Sequence, residues 1–372
     1  MKPVIVCLIP IGFAVSWLLT RLVRSLALRI GFTDQPGGRK IHVSPTPLAG
    51  GIAIFWGFAL PVLAGLVYVN LFPPPHGARG IHDIDAYWSG ARQQTPLALG
   101  MLVTAAVIHV LGLWDDRKAL GPYFKLAVQL VVIASLVIGL NLRALTFLDH
   151  AVPAGKWISL IATVLWIAAV TNAFNFLDNM DGLSAGVAAV CALALLVAAM
   201  SIGQWFVSAA LALLVGSLLG FLCYNFPPAT IFMGDGGSLV VGLLLGVLTV
   251  RTTYLPHGAA WANRWYAIFA PVIVLALPLY DLVVVSAIRL IRGASPFVGD
   301  ANHFSHRLVA RGMSRRTAVL CLYLITAATS ISAILLPHVS GDLAILIAVQ
   351  TVLILCMVGL LERHPLPPRV ER

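Results

Sequence analysis

Charged residues are scarce in this chain. Only 10% of its 372 residues are Asp, Glu, Lys or Arg, whereas 60% are hydrophobic and the mean hydropathy is +0.95. That much apolar surface exceeds what the core of one soluble domain can bury. The composition therefore excludes an ordinary soluble protein and indicates a polytopic membrane protein.

Cysteine patterns typical of a metal site or a disulfide framework are also lacking. The five cysteines all lie inside apolar runs, and none belongs to a CxxC or Cys/His arrangement. Cysteines in such runs behave as small hydrophobic residues, so we assign them no functional role. They are Cys7, Cys191, Cys223, Cys321 and Cys356.

The apolar residues come in continuous runs and not in the alternation of membrane strands. Runs near 20 residues match helices that cross a hydrocarbon core of about 30 Å. We predict an all-α fold in which residues 1–372 form a single transmembrane domain. About eleven spans are predicted, at residues 3–20, 48–71, 96–114, 125–142, 156–174, 182–202, 205–224, 238–255, 266–288, 317–336 and 343–361.

The basic residues predict the orientation of the chain. With the N-terminus outside, 17 of the 24 Lys and Arg residues lie on the cytoplasmic side, as the positive-inside rule requires. Arg21, Arg24 and Arg29 follow the first run, which favours an uncleaved span over a signal peptide. The C-terminus is then cytoplasmic. The basic face suits anionic lipid and phosphorylated substrates, and nucleic acid is not needed to explain it.

Five polar islands interrupt the spans, and all five follow odd-numbered spans. They therefore share the cytoplasmic face, and carboxylates at membrane depth are costly enough to indicate a site. We predict one composite site on that face. The islands are "FTDQPGGRKIHVSPTPLAGG", "WDDRKALGPYFK", "NAFNFLDNMDG", "NFPPATIFMGDGGS" and "SPFVGDANHFSHRL".

The third island carries Asn175, Asp178 and Asp181 at a spacing of three residues. If the preceding span continues as a helix, the three side chains line one face and can bind a hydrated cation or a hydroxyl-rich ligand. The alternative is that Asp181 caps the next helix. Capping accounts for only one of the two carboxylates.

The other islands add further candidates. Asp235 lies in a glycine-rich turn that opens a span, where free backbone N–H groups favour phosphate and the carboxylate can hold a metal ion. Asp115 and Asp116 point about 100° apart on a helix, so they serve different roles. His303, His306 and Arg307 suit phosphate better than zinc, because no third His or Cys lies near them.

Oxygen ligands without a thiolate cluster indicate Mg²⁺, or alternatively Mn²⁺. These ions bind carboxylates together with substrate phosphates, so the sequence predicts phosphoryl chemistry at the membrane.

His109 lies inside the third predicted span. A histidine in such a position is more often packed within a helix bundle than catalytic, so we predict a packing role for it.

Five motifs, taken in their order along the chain, resemble those of the polyprenyl-phosphate N-acetylhexosamine-1-phosphate transferases of glycosyltransferase family 4. The resemblance covers about residues 1–335. Each motif is weak alone, but their order and shared face are specific. The motifs are "RKIH" with the downstream "GG" (39–51), "DDRKALGPYFKLAVQ" (115–129), "NAFNFLDNMDGL" (172–183), "FMGDGGSLVVG" (232–242) and "HFSHRL" (303–308).

The resemblance implies transfer of a sugar 1-phosphate, with GlcNAc-1-phosphate favoured, from a UDP-sugar to undecaprenyl phosphate with release of UMP. It implies a multi-pass enzyme of the bacterial inner membrane that starts cell-wall, lipopolysaccharide or other envelope polysaccharide synthesis, in contact with membrane lipids. It leaves a homodimer open. It also implies Asp235 as the Mg²⁺ ligand and Phe232 as a platform for uracil.

The remaining roles come from the same resemblance. Catalytic residues are implied at Asp115, Asp116, Asp178, His303 and His306. Substrate-binding residues are implied at Lys40, His42, Lys125, Asn172, Asn175, Asp181, Phe232 and Arg307.

The last motif departs from the family pattern. Ser305 stands where these transferases usually have a histidine, and the phospho-MurNAc-pentapeptide transferases have a histidine triplet there. This favours the branch that uses simple N-acetylhexosamines, with the pentapeptide transferase as the alternative. A multi-pass transporter is a second alternative, but its polar residues should lie near span centres and not at span ends.

Overall fold

The computed structural model describes residues 1–34, 45–74, 84–252, 265–293, 295 and 303–363. Within these ranges the protein is mainly α-helical. The helices are α1 (Lys2–Ile30), α2 (Gly50–Leu71), α3 (Ile84–Gln93), α4 (Thr95–Arg117), α5 (Pro122–Gly139), α6 (Leu148–Ala151), α7 (Gly155–Leu177), α8 (Leu183–Ser201), α9 (Trp205–Asn225), α10 (Asp235–Arg251), α11 (Ala270–Val274), α12 (Ala276–Ile291), α13 (Phe304–Ala310), α14 (Arg315–Leu335) and α15 (Gly341–Arg363). Short 3₁₀ turns span Trp265–Phe269 and Leu336–His338.

Nine helices of the described ranges are long and apolar enough to cross a membrane, and α11 with α12 forms a bent pair that could be a tenth span. Helix α10 has 17 residues, which corresponds to about 26 Å. Its side chains are almost all buried. The protein is therefore an all-α polytopic membrane protein. The count of eleven spans and the orientation of the termini stay predictions.

The first helix is longer than predicted. It continues to Ile30, whereas the apolar run suggested an end near residue 20. The run ends there because basic residues begin, but Arg is a good helix former and its long side chain can reach the polar interface. Helix α1 instead ends at Gly31, whose φ of 70° is the left-handed conformation that glycine accepts readily.

Helix α10 lies at the centre of the bundle, and glycines allow its neighbours to approach its backbone. A Cβ atom on Gly112 of α4 would lie 2.5 Å from the carbonyl carbon of Asp235. A Cβ atom on Gly51 of α2 would lie 2.3 Å from the amide nitrogen of Gly237. These contacts bring α2 and α4 directly against the first turn of α10.

A short backbone ladder fixes the segment before α10. Strands β1 (Thr33–Asp34) and β2 (Thr46–Pro47) pair antiparallel. The amide of Phe232 donates to the carbonyl of Pro47 at 2.8 Å, and the amides of Gly50 and Gly51 donate to the carbonyls of Phe232 and Met233, each at 2.9 Å. The first and fourth polar islands are therefore joined through their backbones.

The chain bends by 70° between α11 and α12, at Leu275. Pro278 lies in the first turn of α12 and has no N–H group to continue the hydrogen-bond ladder across the bend. The buried side of α12 carries Asp281 and Arg289 together with apolar residues. Two charged residues are thus buried on one membrane-associated helix.

Candidate active site

The first turn of α10 is capped by Asp116. Its Oδ1 accepts from the amide of Asp235 at 2.7 Å and its Oδ2 from the amide of Gly236 at 3.0 Å. A carboxylate stabilises the partial positive charge at a helix N-terminus. These two N–H groups were predicted to be free for a substrate phosphate. That prediction is wrong, because the protein's own carboxylate occupies them.

Asp115 contacts different groups. Its Oδ1 accepts from the amide of Leu120 at 2.8 Å, and its Oδ2 accepts from Nζ of Lys125 at 3.0 Å. The same ammonium also donates to Oδ2 of Asp235. Lys125 therefore bridges two carboxylates, and the adjacent aspartates of α4 have separate partners, as their 100° separation predicts.

The second oxygen of Asp235 is held by α7. Asn175 donates through Nδ2 to Oδ1 of Asp235 at 2.7 Å and to Oγ of Ser238 at 3.0 Å. Ser238 in turn donates to the carbonyl of Gly234 at 3.1 Å. Lys125 and Asn175 thus fix the Asp235 carboxylate from two sides.

The helical continuation predicted for the third island is wrong. Helix α7 ends at Leu177, and residues 178–182 form turns. The backbone turns because Gly182 has a φ of 73°, and its amide donates to Oδ1 of Asn225 at 3.0 Å. Asn175 therefore does not share a helical face with Asp178 and Asp181.

The capping alternative for Asp181 is also wrong. The N-cap residue of α8 is Gly182, which has no side chain to cap that helix. Oδ2 of Asp181 instead accepts from the amide of Ala229 at 3.0 Å. The third and fourth islands are joined by this bond.

Asp178 lies just beyond the end of α7, in the same cavity wall as Asp116, Asp181 and Asp235. Burial raises its pKa well above the usual range, and the negative charges of Asp235, Asp116 and Asp181 raise it further. The three neighbouring carboxylates concentrate negative charge near this position. A bound cation would offset that charge.

A cavity of about 620 Å³ opens beside these groups. All five polar islands contribute residues to its wall, although they are far apart in the sequence. The wall includes Asp34, Thr46, Asp116, Asp178, Asn179, Asp181, Asn225, Phe232, Gly234, Asp235 and His306. The ends of separate helices therefore form one composite site.

Several predicted residues lie elsewhere. Among the described residues of the cavity wall, His306 is present and His303 is not, because His303 packs behind the wall against α12. Asn172 donates to Oε1 of Gln129 at 2.8 Å, in the contact between α7 and α5. Arg307 lies on α13. Lys40 and His42 fall outside the described residues.

His306 borders the cavity from α13 and has a lowered pKa. Burial is the main cause of this lowering. A lowered pKa leaves the imidazole mostly neutral at pH 7, so it offers one hydrogen-bond donor and one acceptor. An anionic ligand in the cavity would reverse part of this shift.

Sequence reasoning missed some members of the wall. Arg315 reaches the cavity from the first turn of α14, and Asn179 and Asn225 are also part of it. A cation in the first turn of a helix is unfavourable because the helix dipole is positive there. The position of Arg315 was therefore a signal in the sequence that this residue could have a functional role. The two asparagines had no such signal, because amides are common in turns.

His109 is a packing residue, as predicted. It is buried inside α4, its Nδ1 lies 2.7 Å from the carbonyl oxygen of Gly236, and its ring stacks on Phe55 at 4.8 Å. It therefore supports α10 from behind the site.

Within the described ranges, no group of three or more His, Cys, Asp or Glu side chains forms a ready metal site. Mg²⁺ does not need one, because it commonly binds one or two carboxylates and completes its shell with water and phosphates. The ammonium of Lys125 lies between the carboxylates of Asp115 and Asp235, a position that would also attract a metal cation. This oxygen donor set fits a hard divalent ion that arrives with a phosphorylated substrate.

Comparison with known proteins gives consistent relatives. A family model described as glycosyl transferase family 4 matches residues 98–253. The chain is 34% identical to a probable undecaprenyl-phosphate N-acetylglucosaminyl 1-phosphate transferase of Bacillus subtilis, over 88% of this chain and 85% of that protein. It is 30% identical to a decaprenyl-phosphate N-acetylglucosaminephosphotransferase of Mycolicibacterium smegmatis, over 95% and 86%. A phospho-N-acetylmuramoyl-pentapeptide-transferase of Desulforudis audaxviator is 36% identical over 65% and 74%.

Proposed function

The chain belongs to glycosyl transferase family 4, and from this membership we propose that it transfers N-acetylglucosamine 1-phosphate from UDP-GlcNAc to a polyprenyl phosphate. The acceptor is undecaprenyl phosphate. UMP leaves, and a lipid-linked pyrophosphoryl sugar remains. The names of two relatives, each matched over most of its length, support the donor sugar and the class of acceptor.

The single observation that carries this proposal is the composite cavity. Its acidic and basic groups come from the ends of several helices and not from the middle of any span. A reaction between a soluble nucleotide sugar and a membrane lipid needs such a position, since both substrates must reach one point at the membrane edge. A transporter would need polar groups near mid-membrane.

The residues suit displacement at a phosphorus atom. An oxygen of the lipid phosphate forms a bond to the phosphorus that carries the sugar, and the bond from this phosphorus to the oxygen of UMP breaks, with its electron pair leaving on UMP. Negative charge then concentrates on the phosphoryl oxygens. Lys125 and Arg315 offset that charge, and His306 donates or accepts a hydrogen bond at the cavity wall.

Asp235 is the residue that would hold Mg²⁺ or Mn²⁺, with Asn175 fixing the orientation of its carboxylate. The ion, when bound, supplies Lewis-acid stabilisation of the phosphoryl oxygens. The second pKa of a phosphate monoester is near 6, so the lipid phosphate is mostly dianionic at pH 7. Asp115 and Asp178 therefore act in positioning and charge balance and are not needed as a strong base.

We place the cavity on the cytoplasmic face of a bacterial inner membrane. The excess of Lys and Arg assigned to that side supports this, because anionic lipid and phosphorylated substrates are attracted there. The product would start a cell-envelope polysaccharide.

The pentapeptide transferase is the second candidate, because one relative with that name is 36% identical over 65% of this chain. Ser305 argues against it. The pentapeptide transferases have a histidine triplet at this position, whereas this chain has Ser305, which is buried with its Oγ 2.5 Å from Oδ1 of Asn179.

A substrate assay decides between these functions. Purified protein in detergent is given undecaprenyl phosphate and Mg²⁺ with UDP-GlcNAc, UDP-GalNAc or UDP-MurNAc-pentapeptide, and released UMP is measured. We expect the fastest release with UDP-GlcNAc and none without the lipid phosphate. A preference for the pentapeptide would establish the second candidate, and no release from any donor would reject both.

A further inference from the structure

Two charged side chains of α12 are buried outside the cavity described above. Asp281 is 1% exposed and Arg289 is 3% exposed, although α12 follows a bend in an apolar part of the chain. A buried charge is costly unless it is paired and hydrogen-bonded. The proposed reaction uses neither residue, so their burial needs another explanation.

Both side chains contact His303. Its Nδ1 lies 2.8 Å from Oδ2 of Asp281, and its Nε2 lies 3.4 Å from a terminal nitrogen of Arg289. A guanidinium can only donate, so Nε2 of His303 is the acceptor and the ring proton is on Nδ1, which donates to Asp281. Both ring nitrogens are therefore directed at α12 and away from the cavity.

The aromatic ring of Phe176 completes this enclosure at the end of α7. It meets the imidazole of His303 edge-on with 6.0 Å between ring centres. The guanidinium carbon of Arg289 lies 5.1 Å from the centre of the same ring, within the range of cation–π attraction. His303 is thus held between α12 and the helix that carries Asn175.

Asp281 also accepts a hydrogen bond from the backbone of Phe304, the residue that follows His303. Its Oδ1 accepts from the amide of Phe304 at 3.2 Å, at the first residue of α13. On the other side of α13, Ser305 donates to Asn179, and His306 hydrogen-bonds the backbone of Asn179. Helix α13 has seven residues and little stability of its own, so these anchors set its position.

We propose that Asp281 is a positioning residue that, through His303 and the amide of Phe304, holds α13 so that His306 lies in the wall of the active-site cavity. The consequence for the reaction rests on the proposed function; the clamp itself does not. His303 acts with Asp281 as part of this clamp, and His306 is the histidine that meets the substrate.

The first test measures the position of α13 without using activity. Ser305 is 1% exposed, and Ser305→Cys is nearly isosteric, so its alkylation by a maleimide reports opening of α13. The five native cysteines are first replaced by alanine or serine. We expect Asp281→Ala to increase the alkylation rate several-fold and Asp281→Asn to give an intermediate rate, because an amide keeps one acceptor oxygen.

Asp149→Ala is the matched control. It removes another aspartate with a basic partner, the pair with Arg143 at 2.8 Å, which lies at the opposite end of the bundle. This variant should leave alkylation and activity unchanged. Alkylation that stays slow in Asp281→Ala would overturn the clamp, whether or not the protein is an active transferase.

The second test separates positioning from folding. UMP release is divided by the number of sites that bind UMP, so that unfolded protein does not count. We expect kcat per site to fall by about 10²-fold in Asp281→Ala, the order of effect that a displacement of about 1 Å can produce. The double variant Asp281→Ala/His306→Ala should have nearly the same kcat per site as Asp281→Ala alone.

A loss of activity that only follows the loss of binding sites would overturn the positioning role, and so would additive effects of Asp281→Ala and His306→Ala. An inactive wild-type protein would instead reject the proposed function, and the alkylation result would still decide on the clamp.

Discussion

The carboxylate of Asp116 accepts a 2.7 Å hydrogen bond from the backbone amide of Asp235, although both side chains are acidic. The bond uses the amide at the N-terminus of α10, while the Asp235 carboxylate is directed to Lys125 and Asn175. One aspartate thus builds the turn, and the other is presented at its surface. Each of these roles predicts a different result when the residue is changed.

Asp116→Ala should weaken both the fold and the reaction. It leaves the amides of Asp235 and Gly236 without their acceptor, so we expect the free energy of unfolding to fall by about 1–2 kcal/mol. UMP release should fall as well, because the position of Asp235 depends on the same turn. Melting temperature and UMP release are measured for Asp116→Ala and for the control variant Asp149→Ala. A wild-type rate in Asp116→Ala would show that the cap is not needed for catalysis.

Gly112→Ala should disturb the site from behind. The added methyl group would lie 2.5 Å from the carbonyl carbon of Asp235, and backbone cannot give way as a flexible side chain can. We expect a loss of about 1–3 kcal/mol in stability and a lower kcat. Gly65→Ala in α2 is the control, since nothing lies within 4 Å of its added methyl group. Equal melting temperatures and rates for the two variants would contradict the close approach.

Lys125→Met should increase the response of the protein to Mg²⁺. Removing the ammonium leaves Asp115 and Asp235 without their shared cation, so a divalent ion should bind them more tightly. The rise in melting temperature on adding MgCl₂ should be larger in Lys125→Met than in wild type, while UMP release should be lower. Lys156→Met, which changes an exposed lysine at the other end of the bundle, should behave as wild type. The same Mg²⁺ response in all three proteins would remove Lys125 from the cation site.

Asp235→Asn should be the most damaging of the carboxylate-to-amide changes. It keeps the shape but loses the charge that would hold Mg²⁺, and several kcal/mol of lost stabilisation corresponds to roughly 10³-fold slower turnover. Asp181→Asn should be milder, because an amide oxygen can still accept from the amide of Ala229. The measurement is UMP release against Mg²⁺ concentration. Near-normal turnover of Asp235→Asn with unchanged Mg²⁺ dependence would rule out Asp235 as the ligand.

Single cysteines should test the orientation of the chain. Ala119 lies in the exposed turn between α4 and α5, and Ser89 lies exposed on α3, before the start of α4. In a cysteine-free background, Ala119→Cys should react with an impermeant maleimide only from the cytoplasmic side and Ser89→Cys only from outside. Reaction of both from the same side would contradict the predicted topology.

Much of the architecture was predictable from the sequence because membrane spans are determined by length and composition. A helix that crosses lipid must be apolar over about 20 residues and must satisfy its own backbone, and these are properties of a local segment. Each predicted span overlaps one long helix, apart from the run at 266–288, which overlaps α11 and α12 and is bent at Leu275. The grouping of the polar islands followed from the alternation of sides.

The local geometry of the islands was less predictable. The spacing of Asn175, Asp178 and Asp181 fits a helix, yet α7 ends at Leu177, and the turn that follows is held by a hydrogen bond from the amide of Gly182 to Asn225 of α9. The role of Asp116 was not predictable from the sequence either, because it accepts hydrogen bonds from the first turn of α10 and the position of that turn is set by helix packing. Partners more than 40 residues away in the sequence decided both outcomes.

The sequence alone therefore determined the class of the protein, the approximate spans and the set of polar residues available for a site, because these depend on local hydrophobicity and charge. Only the tertiary structure decided which of those residues meet. It set Asp116 against the amide of Asp235, Lys125 between two carboxylates, and Asp281 behind His303. Hydrogen bonds and ion pairs act over about 3 Å, so they form only where helix packing brings distant segments of the chain together.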